Sequence, residues 1–165
     1  MTREQQLHPN VIPYWRITRL ISLLKKSAIA GIPITVHLIW LPTWTWILYV
    51  TVTYVSYLWL TALFHIFYGV RYMYVRRGYL LTTDEILIRW GNIWAENVSI
   101  IPLSRVQHVD MEQDLIQRRL GISGLVIVTA GDANGVVGLL EADTKLLQRQ
   151  IVELAKLGET DAYHD

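Results

Sequence analysis

The hydrophobic positions of this chain fall into two regimes that change over near residue 70. From Ser27 to Val70 no Asp, Glu, Lys or Arg interrupts the sequence, and only His37 and His65 carry ionisable rings. A bilayer core is crossed by about 20 apolar residues, so this run is too long for one crossing and fits two. A soluble core helix of that length needs a far larger protein to bury it. The pattern predicts a transmembrane α-helical hairpin. Pro42, in Trp40-Leu-Pro-Thr-Trp44-Thr-Trp46, is the natural break, and its Trp cluster suits an aromatic belt at a headgroup interface. The predicted spans are residues 20–41 and 45–69, with residues 1–19 ahead of them. Lys25 and Lys26 fall at the inner end of the first span, where their stems can snorkel to the interface.

After Tyr72 the period becomes that of strands. Tyr79 to Thr83 and Ile86 to Trp90 are β-rich runs parted by Asp84-Glu85, and Val98 to Ile101 follows a turn around Gly91-Asn92. Val106 to Asp114 alternates: Gln107, Val109 and Met111 on one face, His108, Asp110 and Glu112 on the other. Leu125 to Thr129 is a continuous apolar strand of the buried kind. Gly131 to Gly135 reads as a turn, and Val136 to Leu140 as the returning strand. Asp143 is the expected N-cap of a closing amphipathic helix, with Leu147, Ile151 and Leu154 on one face and Gly158 as its stop. The soluble part, residues 71–157, is thus expected to hold six or seven short antiparallel strands and one C-terminal helix, with a polar tail over 158–165.

Charge gives the hairpin a direction. The lead carries Arg3, Arg16, Arg19, Lys25 and Lys26 against Glu4, whereas residues 71–165 carry ten Lys or Arg against thirteen Asp or Glu. Basic residues flank the outer ends of the predicted pair, and the connecting turn has none. The positive-inside rule then places both termini in the cytoplasm. The acidic balance of the remote part argues against nucleic acid as a partner. With no cysteine, disulfides, thiol catalysis and Cys-based zinc sites are excluded. The charged lead is too long for a cleavable signal, so both spans are expected to remain in the mature chain.

Four pieces of sequence carry a family resemblance: Pro102-Leu-Ser-Arg-Val-Gln-His-Val-Asp110, Gln117-Arg-Arg-Leu-Gly-Ile122, Thr129-Ala-Gly131, and the flanks His8-Pro9, Tyr14-Trp15-Arg16 and Arg71-Tyr72. In this order they resemble the YdbS-like membrane proteins, bacterial PH-domain chains that follow a transmembrane hairpin. The family motif falls here on Pro102, Arg105, Gln107, His108, Asp110, Gly121, Thr129 and Gly131. The resemblance implies an α+β, mainly-β PH-like fold of two antiparallel sheets capped by a C-terminal helix, on the cytoplasmic side of the bacterial inner membrane. It also implies a partner, a larger YdbT-like membrane protein with several copies of the module, and a link to envelope stress or antimicrobial resistance. No cofactor is implied.

Candidate chemistry is sparse. His108, Asp110 and Glu112 share a strand face, but steps of about 6–7 Å are too wide for three neighbours to close on one metal ion. A solvated strand face gives the same pattern. Arg105, Arg118 and Arg119 are candidates to meet lipid phosphates at one open end of the sheets, against the alternative that they pair with the domain's own acids. Arg71, Arg76 and Arg77 are the better lipid contacts because they sit at the membrane exit. His37 and His65 raise the question of a proton path, yet the spans hold no acidic partner. The expected function is a non-catalytic interaction module that assembles with another membrane protein; the alternative is a sensor of anionic lipid headgroups.

Overall fold

The computed structural model describes residues 4–40, 45–92 and 94–162. They form two compact units, one of residues 15–70 and one joining residues 1–14 to residues 71–165.

The first unit is helical. It holds most of α1 (Val11–Trp40) and the whole of α2 (Thr45–Phe64), which runs through a π-helical turn at His65–Gly69 into α3 (Val70–Val75). Hydroxyls within these apolar helices bond back to their own backbone: Thr51 Oγ1 donates to Ile47 O at 2.8 Å and Thr61 Oγ1 to Tyr57 O at 2.9 Å. Each hydroxyl is thereby satisfied within its own helix. The Trp59 indole N–H donates to Ser27 Oγ at 3.1 Å and ties α2 to α1. Leu23, Ala30 and Thr51 are buried, while Tyr49, Leu60 and Phe67 stand out from the helices.

One expectation changes here. Helix α1 begins at Val11 rather than near residue 20, so Lys25 and Lys26 lie exposed in mid-helix and not at its end. The break expected at Pro42, with Trp44, lies outside the described residues, as do the side chains of His37 and Trp40.

The second unit is two antiparallel sheets. In the first, β1 (Gln5–Gln6), β2 (Gly78–Leu81), β3 (Glu85–Gly91) and β4 (Glu96–Pro102) lie in sequence order. In the second, β5 (Val106–Glu112), β6 (Ile122–Thr129) and β7 (Ala133–Leu140) do the same. Helix α5 (Glu141–Ala162) packs on the second sheet. Residues of both sheets make the core, among them Ile86, Ile88, Ile101, Ile122, Leu125 and Ile127, and Leu147 and Ile151 of α5 are buried as well. Thr144 and Ser123 meet inside this core with their hydroxyls 2.7 Å apart, and Thr144 Oγ1 also donates to Leu140 O. Gln148 Nε2 donates to Val109 O at 2.6 Å, fixing α5 to β5.

The chain ahead of the apolar run belongs to this body. Strand β1 pairs with β2, His8 N donates to Gly138 O at 2.7 Å, Tyr74 Oη donates to Leu7 O, and Asn10 Nδ2 donates to Leu120 O. Leu7 and Val11 are buried. Gly138 sits where the β6–β7 register slips, at φ 102°, and a Cβ there would lie 2.4 Å from Val11 Cγ2. Only glycine fits that bulge.

Several boundaries differ from the sequence reading. The turn after β6 is shorter than expected, and Asn134 and Gly135 are already in β7. The helix leaving the apolar run continues to Val75 instead of ending before Tyr72. Helix α5 starts at Glu141, two residues before Asp143, and passes Gly158 without stopping. Between β5 and β6 lies a helix the sequence reading did not include, α4 (Leu115–Leu120).

Candidate functional site

The predicted basic residues separate into two groups. Arg105 closes a 3₁₀ turn (Leu103–Arg105) just before β5, and Arg118 and Arg119 lie in the last turn of α4, after β5 ends. At about 3.3 Å per residue the seven-residue strand between them spans roughly 20 Å. They do not form the single basic end that the sequence suggested. All three are exposed.

Helix α4 is built from the sequence outward. Asp114 Oδ1 accepts from the backbone N–H groups of Ile116 and Gln117, and Gln117 Oε1 accepts from Asp114 N, a complete capping box. Gly121 ends the helix in the left-handed region at φ 68°. Arg118 and Arg119 complement the negative helix terminus. Arg118 also sits in the field of Glu141, whose carboxyl is held below its ordinary value mainly by the Lys145 ammonium at 2.6 Å. The Tyr14 hydroxyl donates to the other Asp114 oxygen at 2.8 Å. Burial first, and then that carboxylate, pushes the phenol up to about 12.

The motif residues resolve mostly into turns and surface. Pro102 ends β4 as the chain enters the 3₁₀ turn. Gln107 is exposed where the β5–β6 register slips. Thr129 closes the β6–β7 turn: its hydroxyl donates to Asp132 O and accepts from Asp132 N, while Gly131 is exposed at the tip. His108 Nε2 lies 3.3 Å from Asp110 Oδ2, with both side chains more than half exposed at 56% and 60%. Among the described residues no three His, Asp or Glu side chains gather as a metal site.

Arg71, Arg76 and Arg77 form the other group. Arg71 is exposed on α3, and Arg76 and Arg77 occupy the two positions between α3 and β2. The Arg76 guanidinium stands 4.7 Å over the Tyr72 ring and its Nη1 donates to Asn92 O at 3.3 Å. Asn92 in turn shapes the tip between β3 and β4. Its Oδ1 accepts from Trp94 N and Ala95 N at 2.8 Å each, and its own N donates to Ala95 O. Trp94 projects from that tip at 90% exposure. Arg89, three residues before Asn92 in β3, is paired with Glu4 at 2.5 Å and Glu96 at 3.5 Å. Sequence reasoning passed over Trp94. Its signal was an aromatic residue inside a polar hairpin turn, where a hydrophobic core has no use for it.

Residues 19–155 match the sequence profile of the bacterial PH domain. The chain belongs to the bacterial PH-domain family. The match takes in most of α1, the whole of α2 and every strand but β1, and the two-sheet body with its C-terminal helix is PH-like. Among solved structures, the chain is similar to a DUF1696 family protein with a pleckstrin-homology domain from Shewanella loihica PV-4. That similarity is 14% identity over 50% of this chain and 73% of the other, with a TM-score of 0.39. No curated protein matches this sequence. PH domains as a class bind lipids or proteins, which sets the coarse function of this bacterial PH-domain chain as an interaction module. Among the described residues one helix, Thr45–Val75, is long and apolar enough to cross a membrane, where two spans, residues 20–41 and 45–69, were expected.

Proposed function

We propose that this chain is a non-catalytic, membrane-anchored PH-like subunit, whose hairpin enters and leaves the bacterial inner membrane on the cytoplasmic side. One observation carries the reading. The residues before the apolar run, up to Tyr14, and those after it, from Arg71, belong to one compact body. A chain that leaves a body and returns to it crosses a membrane an even number of times. The 31-residue helix Thr45–Val75 supplies one crossing, and the apolar end of α1 is the natural second. The basic flanks, Arg16 and Arg19 before and Arg71, Arg76 and Arg77 after, favour the cytoplasmic side.

The helices leave their aromatic faces uncovered by the chain, which suits contact with lipid and with the spans of another protein. The partner that fits the YdbS-like resemblance is a larger, YdbT-like member of the same family, in an assembly serving envelope defence. Gentle solubilisation of native membranes followed by identification of stoichiometric companions tests this. Recovery of a second bacterial PH-domain protein is the expected result, and a chain that comes away alone overturns it. The headgroup-sensor reading is not favoured, because Arg105 and the Arg118–Arg119 pair lie at opposite ends of β5.

A further inference from the structure

We infer that one face of α2, carrying Tyr49, Thr53, Tyr54 and Tyr57, is a hydrogen-bonding seam on which a second copy of this chain docks inside the bilayer. This rests on the membrane-spanning reading of Thr45–Val75. The four residues share a face because Tyr49, Thr53 and Tyr57 recur every four positions and Tyr54 lies three before Tyr57. Tyr49 is 70%, Tyr54 54% and Tyr57 62% exposed, and with Val50 and Thr53 they line an open hollow of about 500 Å³.

The polar groups of this helix fall into two sets. Thr51 and Thr61 donate to their own backbone, and the Trp59 indole donates to Ser27. The hydroxyls of Thr53, Tyr54 and Tyr57 have no hydrogen-bond partner among the described residues. Depth makes this second set costly. Tyr57 stands 12 residues after Thr45 and 14 before Arg71, about 18 and 21 Å along a helix at 1.5 Å per residue. Its phenol is thus near the middle of a hydrocarbon core about 30 Å thick, too deep to snorkel to either interface. Lipid tails offer no acceptor, so these hydroxyls are satisfied only by another polypeptide.

A second copy meets that need by symmetry. Both copies insert with the same orientation, so a twofold axis along the bilayer normal sets each residue opposite its counterpart at equal depth. A hydroxyl both donates and accepts, which makes the face complementary to itself. Helix α2 carries no charge to repel its own image. The hollow takes a ring of the other copy, adding dispersion to the bonds. An unrelated span would have to offer matched polar groups at each of these depths.

The chain has no cysteine, so Val52→Cys takes a single label. Val52 is 50% exposed and lies on the side of α2 away from Tyr54 and Tyr57. Donor- and acceptor-labelled full chains are placed in phosphatidylethanolamine–phosphatidylglycerol vesicles. Energy transfer reads association, and nitroxide lipids read the depth of the donor. Transfer should exceed that of random mixing at high lipid dilution. Combining Tyr54→Phe with Tyr57→Phe removes two hydroxyls, keeps both rings, and should weaken association about tenfold. Association unmoved by this double variant overturns the seam. No transfer above random mixing, with hydrocarbon-depth quenching at 52 intact, overturns the second copy as occupant and leaves the face to a span of another protein. Loss of that quenching overturns the spanning reading and the seam with it.

Discussion

The two units of this chain use the same side chains in opposite ways. In the sheet body Ile86, Ile122, Leu125, Ile127 and Ile151 are fully buried and water is outside. In the helical unit Leu60 is 72% and Tyr49 70% exposed, and polar hydroxyls fold back onto the helix. The first arrangement is stable in water because burial removes apolar surface from it. In the proposed membrane-anchored reading the second is stable because the surroundings are themselves apolar. On that reading the solvent, and not the residue type, decides which way a hydrophobic side chain must point.

Substitutions can break that contrast. The largest effect is expected at Gly138, where both the positive φ and the 2.4 Å approach to Val11 exclude a side chain. Gly138→Ala should destabilise the body by about 3–5 kcal/mol and release the segment around Val11. Denaturant unfolding of the full chain in detergent, followed by β-sheet circular dichroism, checks it; an unchanged midpoint would contradict the assigned bulge. Next in size is a matched pair. Leu125→Ala, in the body's core, should cost about 2–5 kcal/mol in the same assay, whereas Leu60→Ala should stay within about 0.5 kcal/mol. Equal costs would mean that the helical unit has a water-excluding core of its own.

Much of this contrast was legible in the sequence, because it depends on local period. The uncharged run, the alternation in β5 and the apolar face of α5 each announce an element without knowledge of its neighbours. What escaped depends on distant partners. The Leu7–Tyr14 segment reads as a lead to the first span, yet its bonds run to Gly138, Leu120 and Asp114, a hundred residues or more away. Helix α4 is only six residues long and has no amphipathic period, although its signature was present in Asp114, Gln117 and Gly121. Gly158 failed as a stop because an interior glycine costs a helix only about 1 kcal/mol, too little by itself to end one. For the candidate site, the exit arginines were visible from the charge pattern. The clustering of Arg105 with Arg118 and Arg119 could not be judged without the length and direction of β5.

A smaller effect sharpens the interior of the body. Thr144→Val removes the buried partner of the Ser123 hydroxyl while keeping the shape of the side chain. The unpaired hydroxyl should cost about 1–2 kcal/mol, with no change in the order of the two sheets. Restoration of stability in the Ser123→Ala, Thr144→Val double variant, read as a coupling energy, distinguishes a lost bond from poor packing.

The smallest effect lies where the two units join in sequence, at Tyr14. Its phenol is pushed up to about 12 by burial and by the Asp114 carboxylate. The folded chain therefore holds this proton more tightly than the unfolded chain, in which tyrosine titrates near 10. Its contribution is fully present below pH 10 and is lost as pH rises through 12. Because the ring is only partly buried, solvent screening limits that contribution to less than about 1 kcal/mol. Unfolding midpoints measured from pH 8 to 11.5 should fall at the alkaline end, and Tyr14→Phe should flatten that part of the profile. Asp114→Asn, which keeps an acceptor for the helix cap but removes the charge, should move the phenol part of the way back towards 10. A Tyr14 titration unmoved by Asp114→Asn would mean that burial alone sets it. The bond to Asp114 would then be incidental to how the body holds the start of α1.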